Sequence, residues 1–382
     1  MPAPPNKTDV FVVGGGPAGL AAAIAARQRG FDVVVADVAR PPIDKACGEG
    51  LMPESIRALR ALGVTFESEQ SFHFRGVRFV EGPVSVAAQF PEASGIGVRR
   101  TCLHRLLVDR ASEIGVSFLW GARVTGISNG GVIVDGNAVQ CGYIVGADGQ
   151  KSRVRSWAGL DRARHESIRY GFRRHYQMPP WTDQVEVHWG TGCQVYVTPV
   201  APQEVSVALL CNDSHTRLEA ALSHFPELNR RLAGAPFSSS ERGAVTASRR
   251  LHKVVRGNTI LIGDASGSVD AVTGEGLCLS FRQAVALADA LGSGDLRGYQ
   301  VEHRRLAQRP MLMSRLLLLL DRFSKLRGRV LGTLAARPAI FAQLLAMHVG
   351  AISPTDFLIR GIRISPEPLP DGRGSVTASD VG

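Results

Sequence analysis

No CxxC pair occurs in the 382 residues. The six cysteines stand at 47, 102, 141, 193, 211 and 278, and no His/Cys cluster has zinc-ligand spacing. A structural zinc site is thereby excluded, no metal is expected, and the thiols read as reduced, as in a cytoplasmic protein. Long apolar runs are also missing. Nothing approaches the ~20 apolar residues that span a bilayer, and the five leucines Leu316 to Leu320 are bounded by Arg315 and Asp321. The first residues, MPAPPNKTD, carry no apolar signal segment. Acidic residues are in deficit: 34 against 44 basic ones, a net charge of +10. The excess is scattered arginine, with no lysine-rich run and no basic ladder interleaved with aromatics. Nucleic acid is therefore not an expected partner. A plain basic surface, or a basic face toward membranes or acidic ligands, fits the pattern.

What the chain does have is glycine, 42 residues of it, concentrated at informative places. In DVFVVGGGPAGLAAAIAARQRGFDVVVAD, the apolar run Val10 to Val13 predicts a buried parallel strand. Gly14, Gly16 and Gly19 then fill GxGxxG. Leu20 to Arg29 is alanine-rich and helical, Gly30 ends it, and Val33 to Val35 begins a second strand closed by Asp37. Strand, glycine turn, helix, strand and terminal acid are all in register, which specifies a dinucleotide-binding unit. Gly14 permits the tight turn, Gly16 lets the backbone approach a pyrophosphate at the helix N-terminus, and Gly19 lets helix and strand pack closely. Asp37 is placed to accept from both ribose hydroxyls, which disfavours NADP at this site.

Two later stretches repeat the logic. YIVGADGQKSRVRSWAG (Tyr143 to Gly159) and NTILIGDASGSVDAVTGEGLCLSFRQAVALADAL (Asn258 to Leu291) each run an apolar strand into a carboxylate, Asp148 or Asp264, beside a helix start. Ligands bind at that edge of an open α/β sheet. With GxGxxG, GADGxxSxVR and GDA…GEGL in this order over residues 8 to 310, the sequence resembles the para-hydroxybenzoate hydroxylase superfamily of FAD enzymes. That superfamily includes aromatic monooxygenases and geranylgeranyl reductases. The resemblance implies noncovalent FAD, held by Gly14, Gly16, Pro17, Ala18 and Gly19 at the pyrophosphate and by Asp37 at the adenosine ribose. It further implies Arg100 of RTCLHRLL on the flavin chain, Val124 beside adenine, Asp148 near the pyrophosphate and Asp264 on the ribityl chain. Gly274, Gly276 and Leu277 would face the N1/C2=O edge of the flavin. For Asp148 and Asp264, capping of the following helix is the other reading.

The resemblance also lays the loop KACGEGLMPES over the flavin, with Gly48 and Gly50 in close backbone approach. ACGEGL is similar to the Cys-Gly-Gly-Gly-type loop of the reductases, and VTGEGL points the same way. Cys47 is then either a proton donor or a small packed side chain. Glu49 is either an acceptor within that loop or an exposed acid. The Tyr-x-Trp-x-Phe-Pro run of the reductases survives here only as Gln194-x-Tyr196-x-Thr198-Pro199, and no Trp-x-Trp-x-Ile-Pro of halogenases is present.

Between about 168 and 250, QVEVHWG, CQVYVTPV and EVSVALL alternate with period two and predict antiparallel strands. With GVRFVEG and VSVAAQF they should cover the flavin, with Trp189 and Tyr196 as either pocket aromatics or plain strand core. From Tyr299 the chain reads as basic, leucine-rich helices divided by Pro310 and Pro338, either a cap on the core or a membrane-resting surface.

The expected fold is α/β: a Rossmann-like FAD domain (8–75, 96–165 and 252–298) with a mixed-sheet substrate domain (76–95 and 166–251). C-terminal helices (299–365) and a disordered tail (366–382) complete it. The expected function is that of an FAD-dependent oxidoreductase on a lipophilic, polyketide- or isoprenoid-like molecule. With no second GxGxxG, electrons come from NAD(P)H or a partner reductase. Monooxygenation is the favoured reaction, reduction of C=C bonds the close rival, and an electron carrier or non-catalytic binding protein the reading from another class. The protein is expected in the cytoplasm, with contact to the inner membrane face through its basic helices.

Overall fold

The strand Lys7–Val13 lies at the centre of a parallel arrangement, and Val10, Phe11 and Val12 are fully buried in it. In the computed structural model, which describes residues 4–128 and 130–357, this strand pairs in parallel with Val33–Asp37 and with Asn137–Gly146. Ser117–Trp120 and Thr259–Leu261 extend the sheet, again in parallel, beyond those two neighbours. Only a strand covered on both faces tolerates so continuous an apolar run. Helix Pro17–Gln28 leaves the central strand directly. Its buried face is mostly alanine, which lets it lie close to helix Gly276–Ser293. The hairpin Val124–Ser128 and Gly131–Val134 adds an antiparallel extension to Asn137–Gly146.

A second eight-stranded sheet runs in the order Gly267–Ser268, Arg242–Leu251, Ala163–Tyr176, Glu204–Cys211, Cys193–Ala201, Gln184–Trp189, Gly76–Glu81, Val84–Gln89. The antiparallel expectation needs one correction here. Gln184–Trp189 is antiparallel to Cys193–Ala201 but parallel to Gly76–Glu81. All six residues of Gln184–Trp189 are buried, because helices cover the face that a lone antiparallel sheet would leave wet. A small third sheet joins Gly50–Leu51, Phe72–Phe74 and Gly95–Gly97. It ties the end of the Cys47 loop to the rest of the fold.

Three helices follow: Leu296–Arg322, Ser324–Ala336 and Pro338–His348. The first begins before Tyr299, at the cap Asp295, whose carboxylate accepts from Arg297 N and Gly298 N. Tyr299 is 1% exposed, and its hydroxyl donates to Leu261 O at 2.9 Å. Pro310 does not divide the helices, contrary to expectation. It sits buried inside Leu296–Arg322, where one missing amide is outweighed by packing; the break comes at Phe323. Leu331, Leu334, Phe341 and Leu345 bury against the second sheet. The expected tail 366–382 lies outside the described residues. Among the described residues no single helix is long and apolar enough to cross a membrane.

Candidate active site

A cavity of about 720 Å3 lies between the two large sheets and under the C-terminal helices. At one end, side chains and loops at the C-terminal edge of the parallel sheet line it: Gly14, Gly16, Pro17, Ala18, Asp37, Arg100, Val124, Asp148 and Asp264. Gly19 is not on the wall. A Cβ there would stand 1.8 Å from Gly14 O, so its smallness serves helix–strand contact. Gly14 has φ +111°, and a Cβ would approach Ala147 O to 2.4 Å. At Gly16 nothing lies within 4 Å of the added atom; the open side of the turn faces the cavity. The turn is braced from behind. Gly15 N–H donates to Asp37 Oδ2 at 2.7 Å, and His104, fully buried, donates from Nε2 to Gly15 O at 2.8 Å. Burial holds the His104 imidazole below its ordinary pKa, consistent with a neutral ring that donates one hydrogen bond.

Asp148 takes the capping reading of its sequence position and leaves one oxygen over. Its Oδ2 accepts from Arg153 N and Val154 N, capping helix Arg153–Trp157, while Oδ1 is buried without a partner. Arg100 likewise leaves Nε buried and unpartnered. Asp264 pairs across the cavity with Lys45 at 3.2 Å. The orphaned polar atoms, the bare side of Gly16 and the cations Lys45, Arg100, Arg123, Lys151 and Arg153 on one wall fit a dinucleotide with a pyrophosphate. Buried donors left unmatched are costly unless a ligand meets them.

The loop that opens onto the middle of the cavity brings Cys47, Gly48, Glu49 and Gly50 to its wall. Cys47 is half-buried, and its Sγ accepts from Glu49 N at 3.4 Å. Glu49 is 2% exposed with φ +59°, an uncommon backbone state for a residue with a side chain. Its carboxylate meets His175 Nε2 at 2.6 Å, Arg100 N at 2.7 Å and Arg173 Nη1 at 3.6 Å. Burial alone would raise its pKa, but the His175 hydrogen bond and charge, with Arg173 and the Arg100 amide, hold it below the usual carboxylate range. Opposite the loop, Gly274, Gly276 and Leu277 line the wall at the start of helix Gly276–Ser293. Behind them Glu275 is 3% exposed; burial pushes its carboxyl up to about 8 despite Arg309.

The other end of the cavity is apolar. Val77, Phe79, Val185, Val187 and Leu210 come from the second sheet, and Met313, Leu317, Leu320, Leu334 and Phe341 from the helices. Tyr196 is on this wall and donates to Val272 O at 3.0 Å; burial raises its phenol pKa. Thr198 donates to Gly48 O at 2.8 Å, joining the sheet to the Cys47 loop. Trp189 is not a pocket residue. It shares the inward parity of Val185 and Val187, but Phe79 and Arg327 cover it, and it is 3% exposed in the core. In the roof, His348 reaches the wall, and burial pulls its imidazole down to about 4.

The model of the FAD binding domain family matches residues 7–222. This chain belongs to that family. It is an FAD-dependent oxidoreductase of the para-hydroxybenzoate hydroxylase superfamily, as the three glycine motifs imply. Among curated relatives, the flavoprotein is 30% identical over 366 residues to menaquinone reductase of Mycolicibacterium smegmatis, covering 85% of this chain and 88% of that one. It is 26% identical to digeranylgeranylglycerophospholipid reductase 1 of Methanococcoides burtonii, covering 71% of each. Among solved structures, a flavin-dependent brominase superposes with a TM-score of 0.78 at 18% identity, covering 93% of this chain and 98% of that one. At that identity the likeness is one of fold.

Several groups escaped the sequence reading. His104 and Lys45 carry no motif of their own. Arg169 and Arg173, 3% and 2% exposed, share a strand face at a four-residue spacing in IRYGFRRHY, a pattern too slight to mark them. Arginines on the inward face of a strand demand acids. Arg173 finds Asp44 at 2.6 Å as well as Glu49, and Arg169 finds Asp270 at 3.1 Å and Asp321 at 2.7 Å.

Proposed function

We propose that the flavoprotein reduces an unsaturated, isoprenoid-bearing lipophile of the quinone type, with Cys47 near the reacting carbons. The observation that carries this reading is the cavity itself. One end is charged and glycine-lined, the other is walled by aliphatic and aromatic side chains from the second sheet and three helices, as a long apolar substrate requires. The named activity of the 30% identical relative, menaquinone reductase, and the ACGEGL loop support it. Gly16, Asp37, Asp148 and Asp264 would hold FAD, which would supply hydride chemistry, with NAD(P)H or a partner reductase as the electron source. The chain does the rest. Gly274, Gly276 and Leu277 present backbone N–H groups and a helix N-terminus to developing negative charge. The helices exclude water. Cys47 would hold the proton that one of the substrate's reacting carbons takes up.

Monooxygenation is the second reading, favoured by the loss of the Trp and Phe of the reductase pattern at residues 194–199. Two anaerobic and aerobic single turnovers with menaquinone separate them. Reduced enzyme that adds two hydrogens to the substrate without oxygen is a reductase. Conversion that needs oxygen and adds one oxygen atom is monooxygenation. Under the first outcome, Cys47→Ser should slow the substrate-dependent step by roughly 10²–10⁴, the range for lost general acid help, with FAD binding unchanged. An unaltered step in Cys47→Ala ends the proton-donor role.

The basic helices Leu296–Arg322 and Ser324–Ala336 are proposed to rest on an anionic lipid surface. Flotation with anionic liposomes at low salt and release at high salt is the expected behaviour.

A further inference from the structure

Helix Leu296–Arg322 presents three faces around one stretch of its axis. Met313, Leu317 and Leu320, spaced i, i+4, i+7, line the cavity. Leu312, Leu319 and Phe323 point elsewhere and are 40%, 46% and 48% exposed. Leu316 belongs to both sets: it lines the cavity and is 41% exposed. At ~100° per residue, Leu316 falls between the cavity row and the outer row. Arg315 and Arg322 are exposed on the far side of that outer row. Lys325, Leu326 and Arg329 continue the same mixture on the next helix.

The charges on this face are one-sided. Asp321, the acid within the stretch, is turned inward to Arg169 and Gln194. Among the described residues, Arg315, Arg322, Lys325 and Arg329 have no carboxylate at ion-pair distance, and Arg322 lies over the Phe323 ring instead. A contiguous apolar stripe edged by unpaired cations is the pattern of a helix lying in a lipid interface, apolar side down.

We propose that this stripe docks on an anionic phospholipid bilayer, and that Leu316 is the sill of a side portal through which a lipid substrate slides from the acyl layer into the cavity. The inference rests on the lipophilic-substrate reading and adds the route of entry. It follows from cost: each methylene of an isoprenoid tail drawn through water is unfavourable. A cavity whose wall row adjoins the membrane-facing row lets the tail pass without that exposure. The cations match the negative surface potential, which singles out an anionic bilayer from other apolar occupants.

The test uses FAD-loaded enzyme with two probes, menadione in water and menaquinone in phosphatidylglycerol/phosphatidylcholine vesicles, each read by its perturbation of the flavin absorbance. Leu319 and Phe323 do not line the cavity. Leu319→Glu and Phe323→Glu should therefore cut vesicle flotation and the rate of menaquinone uptake at least tenfold while leaving the menadione response unchanged. A Leu319→Trp reporter should be quenched by doxyl-labelled lipid, and a Phe237→Trp reporter, exposed beside Tyr176 of the second sheet, should not. Undiminished menaquinone uptake in Leu319→Glu, with menadione normal, overturns the portal and leaves the substrate reading intact. Dimerisation in the absence of vesicles that Leu319→Glu abolishes assigns the stripe to a second copy and also overturns it. If neither probe perturbs the wild-type flavin, the substrate reading falls and the portal with it.

Discussion

On the nucleotide side of the cavity, position matters atom by atom. Gly14 and Gly19 leave no room for a Cβ, Gly14 N–H donates to Ala36 O at 2.8 Å, Asp37 accepts from Gly15 N–H at 2.7 Å, and the lining combines glycines, short acids and cations. On the roof side the wall is Met313, Leu317, Leu320, Leu334 and Phe341, held to the second sheet by apolar packing and by the ion pairs Arg169–Asp321 and Arg327–Glu81. The first region recognises a fixed group and tolerates few changes. The second excludes water around a variable tail, where any apolar side chain of similar volume serves. The contrast teaches that the two halves of one cavity should fail differently: the floor through loss of cofactor, the roof through loss of attachment.

The largest effect should come from breaking the roof's anchor. Asp321→Ala leaves Arg169 buried beside Asp270 alone and should destabilise by about 3–5 kcal/mol, as removal of one partner of a buried pair does. Denaturant unfolding followed at the helices measures it. A loss below about 1 kcal/mol would mean that packing and the Arg327–Glu81 pair hold the roof. Next, Asp37→Ala should weaken FAD retention by about 1.5–3 kcal/mol for each charge-assisted bond lost, read by flavin released on dilution, with the fold unchanged. Release of FMN in place of FAD from wild type would sink the floor assignment altogether.

A finer contrast lies within the glycine turn. Gly19→Ala meets Gly14 O and should cost about 1–3 kcal/mol of folding stability, the range for overpacking. Gly16→Ala meets nothing in the protein and should lower FAD affinity without lowering the melting temperature of the apoprotein. Equal melting losses for both would erase the distinction between a packing glycine and a ligand-facing one.

The last contrast concerns the seam, where Glu275 lies between floor and roof. Its folded pKa, about 8, is above the unfolded value near 4.5. The folded state therefore holds a proton that the unfolded chain has already lost, and stability falls as pH rises from about 4.5 to 8, by at most ~1.4 kcal/mol per pH unit. Glu275→Gln should flatten that slope and be the more stable protein at pH 8, as denaturation at several pH values will show. A parallel slope in both proteins removes Glu275 as its source.

The floor was largely legible in the sequence, because glycine and acid in register report a local backbone geometry that few other residues permit. Cys47, Gly48 and Gly50, which the family resemblance laid over a flavin, line the cavity wall. Glu49 was ambiguous in the sequence, since a lone acid between glycines gives no sign that Arg173, His175 and the Arg100 amide will surround it. Trp189 stayed open between pocket and core for a related reason: strand parity names a face, but Phe79 and Arg327 decide which part of that face is cavity. Pro310 read as a break, because local propensity cannot weigh one lost hydrogen bond against a packed helix.

What the sequence determined by itself was the parallel nucleotide-binding unit and its cofactor class, since each motif is a strand, turn and helix start within about 30 residues. What only the tertiary structure decided was the substrate end. Arg169 and Asp321 are 152 residues apart, and Leu316 becomes a border residue only because one helix is laid across the mouth of the cavity. Short-range sterics write glycine positions into the chain. Apolar enclosure is non-directional, so the chain records only that those residues are greasy, and folding decides what they enclose.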